Sequence, residues 1–91
     1  MPKFVIDREI PGAGKWTAEE KPAIAQKSNS VIEEIGPQIQ WVHSYVTDNK
    51  VYCVYIAPDA ETIYRHAEMA GFPADRVSAV RFLMDPTRAG D

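Results

Sequence analysis

Gln38–Ile56, QIQWVHSYVTDNKVYCVYI, is the stretch whose reading decides the fold. Two runs rich in β-branched and aromatic residues flank Asp48-Asn49, a pair that supplies the positive φ angles of a two-residue hairpin turn. Such a turn pairs Val46 with Val51 and Tyr45 with Tyr52, and so outward to Trp41 with Ile56. One face then carries Trp41, His43, Tyr45, Tyr52, Val54 and Ile56. The other carries Gln40, Val42, Ser44, Val46, Val51, Cys53 and Tyr55. Both faces hold aliphatic or aromatic groups, whereas a sheet wetted on one side alternates apolar with polar. The hairpin is therefore expected to carry helices on one face, and a second subunit or a ligand pocket on the other.

Working outward toward the N-terminus, Gly36-Pro37 closes a helical stretch in which Ile24, Ser28, Val31, Ile32 and Ile35 recur on one side. Thr17-Ala-Glu-Glu20 has the pattern of a capping box that opens it. Pro22 lies just beyond the first turn counted from Thr17, so the helix begins later or bends there. Before it, Lys3–Ile10 reads as a strand, with Phe4, Ile6 and Ile10 on one side and Val5, Asp7 and Glu9 on the other. Pro11-Gly-Ala-Gly14 ends that strand. On the C-terminal side, Asp59 caps a second helix whose apolar arc runs through Ile63, Ala67 and Ala70, and Gly71 closes it. Arg76–Met84 alternates as a last strand. The order β-α-β-β-α-β is the split βαβ of ferredoxin-like folds, an α+β class with a four-stranded antiparallel sheet. Right-handed crossovers put both helices on one face, and the uncovered apolar face is expected to dimerise. Residues 1–86 form this domain, and residues 87–91 are expected to be a frayed tail.

Composition excludes several classes of function. Ninety-one residues make one domain, with 45% hydrophobic and 25% charged residues, as in ordinary globular chains. The net charge of −3, with no Lys/Arg stripe, argues against nucleic acid as a partner. No apolar run approaches the ~20 residues needed to cross a bilayer, so no membrane role is expected. A single cysteine excludes an internal disulfide and fits a reducing compartment. With no leader pattern visible, a cytoplasmic location is expected.

His43 and His66 are the two histidines. His43 lies mid-strand among aromatics and reads as a packed interface residue or a metal ligand. His66 sits roughly 60° from the centre of the second helix's apolar arc, as a half-exposed boundary residue or a ligand. Cys53 reads as a small buried hydrophobe, or as a soft ligand favouring nickel, copper or zinc. Asp7 and Glu9 put two carboxylates on one strand face, roughly 7 Å apart. They suit metal binding, or ion pairs with Arg76 or Arg81. The histidines have no HxH, HExxH or CxxC companions, so the spacing alone is a weak metal signal.

MPKFVIDREIPGAGK, GPQIQWVHSYVTDNKVYCVYIAPD and HAEMAGFPADRVSAVR together resemble a family of small bacterial ferredoxin-like proteins of formerly unknown function, whose characterised member is a nickel-binding protein. The resemblance runs roughly from Met1 to Pro86. It implies a βαββαβ fold, a homodimer and a metal at the dimer's surface. Carried over by position, the implied ligands are Cys53 and His66, with His43 as a third. The chain departs from the histidine-rich branches of the family, which offer an aspartate and a histidine in the first strand and two histidines in the second helix. Here the first strand reads Val5-Ile6-Asp7-Arg8, and the helix keeps His66 alone, with Ala70 one turn later. Oxygen ligands such as Asp7, Glu9 or Glu68 complete the site, or it is shared across the dimer, or it has been lost. The leading expectation is a non-catalytic Ni(II)-binding homodimer. The alternative is a small cofactor-free monooxygenase or isomerase acting on an apolar molecule, with His43 as acid or base. A third reading is an interaction module whose function is its bare sheet face.

Overall fold

The computed structural model describes residues 1–90. Its strands are β1 (Lys3–Glu9), β2 (Gln40–Val46), β3 (Lys50–Ile56) and β4 (Arg76–Ala79), and its helices are α1 (Glu20–Ile35) and α2 (Ala60–Ala70). The sheet is antiparallel throughout, in the order β2-β3-β1-β4, with β1 and β3 central. This is the ferredoxin-like α+β arrangement expected from the element order. Alternation along the strands settles which face is covered. Phe4, Ile6 and Arg8 of β1 and Val51, Cys53 and Tyr55 of β3 are buried, while the residues between them are less so. Ile39, Ala57 and Ile63 complete the core beneath the helices.

The hairpin closes differently from the expected turn. Among the described residues, none other than glycine has a positive φ, so Asp48-Asn49 does not form the mirror-image turn. Instead Thr47 does the closing: its N–H donates to Lys50 O at 2.8 Å, its hydroxyl donates to the same carbonyl at 2.9 Å, and Lys50 N–H donates to that hydroxyl at 3.0 Å. Pairing follows the expected register from Val46↔Val51 to His43↔Val54, then slips at a bulge, so that Trp41 faces Tyr55 rather than Ile56. One extra residue, Val42, turns the rest of the strand over. Trp41 therefore lies on the helix side, where its indole N–H donates to Ser44 Oγ at 2.9 Å.

The capping box forms: Thr17 N–H donates to Glu20 Oε1 and Glu20 N–H to Thr17 Oγ1. The helix nevertheless begins at Glu20, which places Pro22 in the first turn, where a missing N–H costs nothing. Asp59 caps α2 by accepting from Thr62 N–H at 2.8 Å. Gly71 ends it at φ 75°, in the left-handed region. The last strand stops at Ala79 rather than Met84, because its partner runs out. Phe4 pairs with Ala79, Lys3 O accepts from Val80 N–H, and Pro2, next along, has no N–H to offer the ladder. Phe82, Leu83 and Met84 are consequently exposed, and Pro86–Gly90 forms an exposed 3-10 turn.

Candidate functional site

The residues expected to bind metal divide between the two faces of the sheet. His66 and Cys53 lie on the helix side. His66 is wholly buried, not half-exposed, because α1 packs alongside α2 and covers the border of the apolar arc. Its Nε2 is 3.3 Å from Ser28 Oγ and 3.4 Å from Ser28 O on α1, and its ring centre lies 5.2 Å from that of Tyr55. Nδ1 is buried without a hydrogen-bond partner among the described residues. Burial holds the imidazole's pKa below its ordinary value, the Ser28 carbonyl opposes this, and the charge of Arg8 adds to it. Cys53 is also buried, and its Sγ accepts from Arg8 Nε at 3.4 Å.

Asp7, Glu9 and His43 belong to the open face or its edge. Asp7 pairs with Lys50 at 3.4 Å, rather than with Arg76 or Arg81. Its second oxygen, Oδ1, is buried and without a hydrogen-bond partner among the described residues. Glu9 is exposed at the end of β1, with its N–H donating to Asp75 Oδ2. His43 is exposed, and its ring meets the edge of Tyr45 at 5.0 Å between centres. In register, His43 faces Val54, which faces Val5, whereas Asp7 faces Tyr52, which faces Tyr45. The histidine and the aspartate thus stand two strands apart and in different rows. Among the described residues, no three His, Cys, Asp or Glu side chains gather where they could hold an ion. The donors of one chain do not by themselves fit a metal.

What the fold does bring together is a cavity of about 290 Å³ between the sheet and α1. Trp16, Ile24, Trp41 and Phe72 contribute to its apolar wall, and Arg8, Ser28, Cys53 and Tyr55 are its inner polar groups. Burial pushes the Tyr55 phenol's pKa up, helped by Cys53 and opposed by Arg8 and Ser28. His43, the acid or base of the enzymatic alternative, is not part of this wall. Arg8 is the residue of this candidate site that sequence reading missed. Its signal was its place in alternation with Phe4 and Ile6, which turns it inward. Ser28 stands in the helix's inward series, which by itself marks a position and not a role.

The family described as "Nickel responsive protein SCO4226-like" matches residues 4–80, and the chain belongs to that family. No curated protein matches the chain. It is similar to the crystal structure of SCO4226 from Streptomyces coelicolor A3(2), with a TM-score of 0.75 and 20% identity, over 90% of this chain and 99% of the other. At that identity the likeness shows the fold. Among the described residues, no helix is long and apolar enough to cross a membrane.

Proposed function

We propose, from its membership of this nickel-responsive family, that the chain is a non-catalytic homodimer that binds Ni(II) with donors from the open sheet faces of two subunits, in a reducing, cytoplasmic setting. The observation that carries this reading is the exposed imidazole of His43 on the open face, which also holds Asp7, one of whose oxygens lacks a partner among the described residues. A second copy doubles the donors on that face without refolding either subunit. His43 and Asp7, with Glu9 at the edge, supply the nitrogen and oxygen ligands that suit nickel. His66 and Cys53 are less suitable, since reaching them means opening the contact between the helices or displacing Arg8 from the thiol.

Melting the protein against a nickel titration, with light scattering in parallel, tests the reading. Free metal at a hundred times its dissociation constant adds about 2.7 kcal/mol of stability for a single site. His43→Ala is expected to remove that gain, whereas His66→Ala lowers the starting stability but keeps it. A melting curve indifferent to nickel, or a gain that survives His43→Ala, defeats the assignment.

A further inference from the structure

The cavity on the helix side is unrelated to any metal donor on the open face, and its chemistry is specific. Arg8 is 2% exposed. Its Nε donates to the Cys53 thiol, its Nη1 donates to Pro73 O at 2.5 Å, and Nη2 is buried with no hydrogen-bond partner among the described residues. The guanidinium lies 5.7 Å from the centre of the Phe72 ring and 6.0 Å from that of Tyr55. Guanidinium cannot shed its proton in a protein, so burial does not neutralise it. A buried charge facing a thiol, a carbonyl and ring faces still lacks an anion, and its idle donor bears the full cost of desolvation. A fold retains such a group at little benefit to its own stability.

The rest of the lining is consistent with an anionic visitor. Arg8 and the exposed Lys21 are the charged residues of the cavity, and it includes no Asp or Glu, although the chain as a whole carries −3. Both Ser28 and Tyr55 add hydroxyls to the inner lining. Trp16 and Trp41 offer ring surface, and the Trp41 indole is anchored through Ser44. The volume is near the small end of ligand pockets, enough for one ring or a short acyl chain. Free phosphate satisfies this description poorly, because most of the wall is apolar and leaves many of its oxygens unpaired. A carboxylate on an apolar body matches both halves: an anionic oxygen for the idle Nη2, and a hydrocarbon for the wall.

We propose that the cavity between the sheet and α1 is a binding site for a small apolar or aromatic carboxylic acid, whose carboxylate pairs with Arg8 while its body lies against Trp16 and Trp41.

The test uses the full chain in the presence of a chelator, so that its outcome is independent of nickel. The probes are phenylacetate, indole-3-acetate and hexanoate at low millimolar concentration, with phenylacetamide and inorganic phosphate beside them. The indole N–H resonances of both tryptophans, and the melting temperature, report binding. At least one acid is expected to shift both resonances and raise the melting temperature, and phenylacetamide is expected to bind at least tenfold more weakly than phenylacetate wherever the latter binds. Arg8→Lys keeps the charge but loses the Nη2 donor, and is expected to weaken the acid's binding about tenfold or more. Arg8→Met is expected to abolish it. Because either variant can unfold, the comparison of acid with amide on the unaltered chain decides the matter. No response to any of the three acids overturns the proposal, as does an equal response to acid and amide, or a response to phosphate alone.

Discussion

Burial between two helices and a tyrosine ring favours the neutral imidazole of His66; the nearby charge of Arg8 adds to this, and the Ser28 carbonyl opposes it. The imidazole's folded pKa lies below the ordinary 6.5, so the folded state refuses a proton that the unfolded chain accepts. Stability is therefore complete above that value, and falls as pH drops from it toward the lowered folded value. His66→Leu removes the titration while roughly conserving volume. Melts at about pH 7.5 and about pH 5.5 should show a loss on acidification in the native chain that the variant lacks. Exposed His43 is common to both proteins, so the difference isolates His66. An equal loss in both shows that the group titrates as freely as a surface histidine. The same two residues mark the limit of what the sequence disclosed. His66 was drawn as a boundary residue because an apolar arc ranks helix positions against one neighbour, and here α1 is a second. Arg8 was passed over because a charge in a strand reads as exposed, although its period-two place beside Phe4 and Ile6 pointed inward. Charge and periodicity disagreed at that position, and periodicity prevailed.

Elements were legible where one local signal determined them, and misread where a partner did. The capping box at Thr17–Glu20, the Asp59 cap and the Gly71 stop all appear as the residues imply. The end of β4 does not follow from its own alternation, because it is set by where β1 begins. The bulge at Val42 is likewise invisible in QWVHSYV, yet it carries Trp41 from the open face to the cavity. Nor does Pro11-Gly-Ala-Gly14 merely end a strand: Gly12 N–H donates to Asn49 Oδ1 and Gly14 N–H to Asp48 O, which seats this loop on the hairpin turn. A Cβ on Gly14 would lie 2.9 Å from Asp48 Cα and 3.0 Å from Thr47 O, both backbone atoms that cannot swing aside. Gly14→Ala is accordingly expected to cost roughly 1–3 kcal/mol in urea denaturation, as overpacking does. Gly90→Ala, where the added carbon meets nothing, should leave the midpoint unchanged. Equal behaviour of the two variants means that the loop and the turn separate without cost.

At the scale of the whole molecule, the order of elements and the rule of right-handed crossovers were enough to place two helices on one side of a four-stranded sheet. The Cα extents of 44 × 29 × 20 Å agree, since the shortest spans one sheet and one layer of helices with nothing beyond. What covers the other side is not encoded in one chain's periodicity, because a face that meets its own copy and a face that meets water are both written in the same alternate positions. That face holds Val5, Tyr45, Tyr52, Val54 and Ile56, with Tyr45 62% exposed in the single chain. If this apolar surface joins two copies, the contact buries more than ~1,000 Å² in total, and Val54 lies near its centre on β3. Val54→Lys adds a charge there while leaving the core face of the same strand untouched, so folding should persist. Light scattering should then report the native chain at twice the subunit mass and Val54→Lys at one, with unchanged circular dichroism. A native chain that is already monomeric removes the second set of donors on which the nickel reading depends. The cavity around Arg8, built within one subunit, would keep its ligand either way.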